Sequence, residues 1–180
     1  RISGVWKNGY AVARPEQKAV AGGEAVAGGL IDNFEGEAAA GPTGMTPAKF
    51  GAGWSPTTDA MAGGASMVNL RRADGRLGVS GTIKPGFAFP WAGAMFFPAS
   101  VPMQPADLSA HATLVFRVRG DGRRYSAMLF SGTQMQGLPA MQGFTAGTEW
   151  AEVRLSLADF AGADTARVRA IAFTAGQPEG

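Results

Sequence analysis

The stretch LVFRVRGDGRRYSAMLF, residues 114–130, decides how this chain is read. Apolar and polar residues alternate on both sides of Asp121-Gly122, the pattern of two strands that each bury one face. Asp-Gly is a strong hairpin signal, because a type I′ turn needs φ > 0 at both central positions and this pair tolerates it. A turn there predicts a register in which Arg119 faces Arg124, Val118 faces Tyr125 and Phe116 faces Ala127. Leu114, Phe116, Val118, Tyr125, Ala127 and Leu129 then share a core face, while Val115, Arg117, Arg119, Arg124, Ser126 and Met128 share the other. Arg119 directly opposite Arg124 is unfavourable unless water or an anion sits over the pair. That second face is therefore either an ordinary solvated wall or a binding surface.

The same punctuation runs through the rest of the chain. Its 180 residues suffice for one well-cored domain. Hydrophobic residues make up 46%, and charged residues only 17%, against roughly 25% in an average domain. The 27 Gly and 11 Pro are too densely spread for long helices and favour short strands with turns. The first strand of the main domain is expected at LIDNFEG, from Leu30, with others at residues 49–54, 66–72, 76–83, 87–97, 150–157 and 167–173. Asp74-Gly75 is a second hairpin signal, and residues 131–148 read as a loop. About nine strands with turns between them predict an all-β fold, an antiparallel sandwich or jelly roll over residues 30–180. Ahead of it, residues 15–29 read as a flexible Ala/Gly linker, and residues 1–14 as a hairpin turning at Asn8-Gly9.

Several functions are excluded. His111 is the sole histidine and there is no Cys, so neither an imidazole-rich metal centre nor a thiolate site can be built. No G-x-S-x-G elbow accompanies His111 and no phosphate-binding loop is present. No loop has calcium-binding spacing. No metal and no catalytic residue is expected in this chain. The net charge is only +2 and the basic residues are scattered, which argues against nucleic acid as a partner. No stretch is long and apolar enough for a transmembrane helix. The lack of Cys does not separate periplasm from cytoplasm.

The candidate ligand residues come from two places. The loop TTDAMAGGASM (residues 57–67) lies between Trp54 and Trp91, and aromatic platforms over a sheet suit sugars or a partner's apolar groups. Trp54, Asp59, Met61 and Trp91 are the candidates there. A purely structural turn, with Asp59 capping its own backbone, is the competing reading. From residues 114–130 come Arg117, Arg119, Arg124 and Tyr125, although the register turns Tyr125 inward.

These motifs in order resemble the complex I intermediate-associated protein family of thirty-kilodalton assembly factors. The resemblance rests on Trp54, on Thr58-Asp59-Ala60-Met61-Ala62-Gly63-Gly64-Ala65-Ser66, and on Gly86-Phe87-Ala88. It continues through Arg119-Gly120-Asp121-Gly122-Arg123-Arg124-Tyr125, Trp150 and Asp159-Phe160, and covers roughly residues 30–174. It implies a galactose-binding-like jelly roll, related to carbohydrate-binding modules, and by analogy alone a role in assembling a membrane complex. The family pattern closes with a further strand, which is expected to be missing from residues that end at Gly176-Gln177-Pro178-Glu179-Gly180. An open slot in a sheet is expected, unless another chain fills it.

Residues 1–14 are similar to the closing hairpin of metal-dependent amidohydrolases, through Ile2, Val5-Trp6-Lys7-Asn8-Gly9 and Val12. That resemblance implies a hydrolase of non-peptide C–N bonds, with a divalent metal centre upstream of Arg1. The expected role is thus a non-catalytic accessory domain. Its partner would be the upstream domain of the same protein, another protein, or carbohydrate.

Overall fold

The computed structural model describes the backbone of residues 2–13, and residues 23–26, 28–36, 45–132 and 138–176 in full. The remainder of the expected linker, residues 37–44, residues 133–137 and the last four residues lie outside the described residues. In chain order the strands begin β1 (Ile2–Ala13), β2 (Glu24–Ala25), β3 (Leu30–Asp32), β4 (Gly53–Thr58), β5 (Met67–Ala73) and β6 (Arg76–Thr82). They continue β7 (Ala92–Phe97), β8 (Ala106–Asp107), β9 (His111–Arg119), β10 (Arg124–Ser131), β11 (Ala140–Thr145), β12 (Ala151–Ser156) and β13 (Val168–Ala175). Short 3-10 turns are the helical elements among the described residues.

Two sheets face each other, as the all-β reading expects. Sheet one runs β12-β9-β1-β6-β5, with β3 also paired to β1. Sheet two runs β11-β10-β13-β7-β4, and β8 and β2 attach beside β13. Alternation along each strand sends one set of side chains between the sheets. Phe96, Phe116, Phe144, Phe173 and Trp54 meet there, with Leu77, Leu114, Leu129 and Ile171 fully buried around them.

The central stretch forms a corner where a hairpin is expected. β9 pairs with β1 and β12 in sheet one, whereas β10 pairs with β11 and β13 in sheet two. The inward set is as expected: Leu114, Phe116, Val118, Tyr125, Ala127 and Leu129 are all buried. The register is not. At the turn only Gly122 has positive φ, so no type I′ turn forms. Gly120 and Gly122 instead donate to the carbonyls of Gly147 and Ala146, in the connection after β11. By contrast, Asp74 and Gly75 have φ of 52° and 65°, and they join β5 to β6 as the sequence predicts.

Residues 1–14 also depart from expectation. β1 is one continuous strand, antiparallel to β9 and β6, and Asn8-Gly9 falls where its register slips against β9, between Lys7 and Tyr10. The hairpin signal became a bulge, because long strands stood on both sides to pair with. β1 lies between β9 and β6, so among the described residues sheet one has no open slot there. At the end of the expected linker, Glu24 and Ala25 pair with β8, and the Glu24 carboxylate accepts bonds from the backbone and hydroxyl of Ser100 at 2.9 and 2.7 Å. Within residues 131–148, read as loop, lies β11.

His111 opens β9 and is buried, with no hydrogen-bond partner for Nδ1. It helps line an apolar cavity of about 10 Å³ with Ile31, Phe96, Leu114 and Ile171. Burial pushes its imidazole below the usual range, and the Asp107 carboxylate opposes this. A depressed folded value means that the unfolded chain takes up the proton first as pH falls through about 6.5. The stability held at pH 7 is then lost progressively toward and through the lower folded value. Thermal melts between pH 7 and 5 are expected to show this loss in the parent and not in His111→Leu.

Candidate functional site

β4 runs into a 3-10 turn, Asp59–Ala62, whose Ala60 amide donates to the Thr58 hydroxyl at 3.3 Å. Asp59 is fully buried. Its Oδ1 accepts from the Ser66 amide at 2.9 Å, and its Oδ2 from the Ser66 hydroxyl at 2.7 Å and the Trp91 amide at 3.3 Å. Ser66 Oγ accepts in turn from the Lys84 amide. The carboxylate therefore clasps the loop after β4 to the segment entering β7. A Cβ on Gly64 would stand 2.3 Å from this carboxylate, so the glycine is there for space. As a candidate ligand residue Asp59 is corrected: it is sealed inside and positions its neighbours. Met61 rides the crest of the turn, 79% exposed.

Trp54 is also corrected. It is buried among Phe34, Phe96 and Phe173, because β4 turns alternate residues inward and Trp54 falls on the inner set. Tyr125 is core as well, stacked on Phe144 with centroids 5.8 Å apart, its hydroxyl donating to Asp121 Oδ1 at 2.9 Å. Burial, then the Asp121 bond, pushes its phenol well above the ordinary range, so it stays neutral.

The arginines do not share a face, since the corner separates them. Arg117 and Arg119 lie on β9, in sheet one. Arg117 is exposed opposite Glu152, and the Arg119 guanidinium lies 5.5 Å from the Trp150 ring centroid. Arg124 lies on β10, in sheet two, on the other side of the sandwich.

On the outer side of sheet two, Arg124 meets Trp91's side of the molecule along a row the sequence did not show. The register sets Gly143, Ser126, Thr174, Gly93 and Thr57 across five strands. At one end the half-buried Trp91 donates its indole N–H to Thr57 Oγ1 at 3.3 Å and meets Phe87 edge-on at 6.1 Å. At the other end the Arg124 side chain lies over Gly143, where a Cβ would come within 2.9 Å of its Nε and Nη2. The neighbouring row is Met141, Met128, Ala172, Met95 and Ser55. Thr174 donates to Met128 Sδ at 3.9 Å, which seals the middle of the floor. Behind the methionines a second small core of Met45, Phe97 and Ala170 covers the rest of this face. The groups left open on this face are thus a tryptophan, a guanidinium, the Ser126 hydroxyl and thioethers. Among the described residues, no cluster of three or more His, Asp or Glu could hold a metal ion, and no helix is long and apolar enough to cross a membrane.

Gly143, Met141 and Ser126 complete this face, and the sequence reading missed the first two because β11 looked like loop. Its faint signal is the alternation of Ala140, Gln142 and Phe144.

Comparison with known proteins agrees with this architecture. A solved structure of a family 11 carbohydrate-binding module from Clostridium thermocellum, in complex with a β-1,3-1,4-mixed-linked tetrasaccharide, aligns with a TM-score of 0.51. It is 14% identical and covers 67% of this chain and 78% of its own, a likeness that shows the jelly-roll fold. No curated protein matches. The model of the complex I intermediate-associated protein 30 (CIA30) family matches residues 45–174. Those residues hold both the Asp59 clasp and the outer face of sheet two, and the chain therefore belongs to the complex I intermediate-associated protein 30 family.

Proposed function

We propose that this non-catalytic binding domain takes carbohydrate, laid across the strands on the outer face of sheet two. The observation that carries the proposal is Trp91. Its backbone is fixed by Asp59 and its indole by Thr57, so the ring is held at the edge of a face that offers the Ser126 hydroxyl and few charges. A pre-oriented aromatic ring costs little conformational entropy on binding. The solved module with the same fold holds a tetrasaccharide, which supports the same class of ligand here. The test is titration with soluble glycans, followed by tryptophan fluorescence. Binding is expected, with a loss of about tenfold or more in Trp91→Ala. No response to any glycan would overturn the reading.

A second proposal, supported by the resemblance of residues 1–14, is that the module follows a metal-dependent amidohydrolase domain and serves as its accessory. A His-x-His strand with further His and Asp ligands ahead of Arg1 would support it, and their absence there would remove it.

A further inference from the structure

We infer that the glycan taken by this face is acidic, a chain carrying carboxylates. The inference rests on the carbohydrate reading above and specifies its ligand. β4, β7, β10, β11 and β13 carry no Asp or Glu, and their charged residues are Arg124 and Arg169. Arg169 is turned to main-chain carbonyls, those of Gly132 and Met103. Arg124 is exposed and makes no ion pair among the described residues. Five other arginines are matched to acids: Arg72 to Asp32, Arg76 to Asp74, Arg123 to Asp121, Arg154 to Glu152 and Arg167 to Asp164. Arg71, Arg117 and Arg119 also make no ion pair among the described residues, but they lie on β5 and β9, in sheet one.

The Arg124 guanidinium lies over Gly143 on the adjacent strand, where a side chain would meet it. A planar, exposed fork suits a carboxylate, which it can meet with two parallel hydrogen bonds. The Ser126 hydroxyl stands next to it, on the strand position that pairs with Gly143. From Gly143 to Thr57 the row spans four strand spacings, about 19 Å at the usual separation. A chain of several sugar units can therefore stack on Trp91 and place a carboxylate at Arg124.

The experiment uses the whole chain and four acidic polymers: polygalacturonate, alginate, glucuronoxylan and hyaluronan. Each is paired with its esterified or carboxyl-reduced neutral form, and dextran sulfate and mixed-linked β-glucan complete the set. At least one acid is expected to bind about tenfold tighter than its neutral form, with an affinity that falls as salt rises. Arg124→Gln should abolish this preference without lowering the melting temperature, and Arg124→Lys should restore it only in part. Neutral and acidic forms binding alike would overturn the inference and leave the carbohydrate reading standing. So would dextran sulfate binding tighter than every carboxylate polymer. No binding in any arm would remove both.

Discussion

Arg72→Ala is expected to lower stability by about 3–5 kcal/mol, the cost of breaking a buried ion pair by removing one partner. Arg72 points inward from β5, and its Nη1 reaches Asp32 Oδ2 at 3.1 Å and the Pro47 carbonyl at 2.6 Å. Its Nη2 donates to the Glu35 carbonyl at 2.9 Å, so one side chain ties two connecting segments and β3 to sheet one. The Asp32 side chain is fully buried and the Arg72 side chain 10% exposed, so little water replaces the lost partner. At the size of this domain the change corresponds to a fall of roughly 10 °C or more in melting temperature.

The deficit should also depend on pH. Burial pushes the Asp32 carboxyl above its usual range, while the Phe34 amide and Arg72 pull the other way. Without Arg72 the carboxyl rises further. A raised folded value means stability that is full in acid and is lost as pH rises through that value. Arg72→Ala should therefore recover part of its deficit between pH 7 and pH 4.5. A uniform deficit across that range would show that the carbonyl bonds, and not the ion pair, carry the effect.

Asp59→Ala is the second large effect. Removing the carboxylate strands the Ser66 amide and hydroxyl and the Trp91 amide around a buried void. Hydrogen bonds to a charged group are worth about 1.5–3 kcal/mol each, and a stranded donor adds its own desolvation cost. The two short bonds from Ser66 alone come to about 3–6 kcal/mol on that scale, and a loss of this size in urea unfolding is expected. Gly64→Ala should be strongly destabilising in the parent, where its Cβ would meet this carboxylate, and much less so beside Asp59→Gly, which also removes the Asp59 Cβ that would stand 2.8 Å away. Additive effects of the two changes would contradict the clasp. Weaker glycan binding by Asp59→Ala, measured well below its melting temperature, would tie the clasp to the placement of Trp91.

The sequence was most legible where the physics is local. Alternation along residues 114–119 and 125–129 named the core faces of β9 and β10 correctly, because successive side chains of any strand point to opposite sides. Asp74-Gly75 named its hairpin for the same reason: both residues take positive φ and the partner strand is next in the chain. Asp121-Gly122 carried an equally strong signal and made a corner. Whether two adjacent strands pair depends on what else competes for their edges. Here β1 and β12 took β9, while β11 and β13 took β10.

The same division runs through the site. Residue types single out Trp91 and the Asp59 loop, and the structure brings the two together. That Asp59 faces inward as a clasp, and that Trp54 and Tyr125 are core, follows from burial. The Arg124–Gly143 contact could not be read at all, since it joins a strand to a segment that resembles loop. By itself the sequence determined an all-β chain, its strand faces and its family pattern. Only the tertiary structure decided which strands pair, and so which arginine shares a surface with Trp91. Backbone periodicity belongs to a single strand, whereas register belongs to two strands that the chain brings together from a distance.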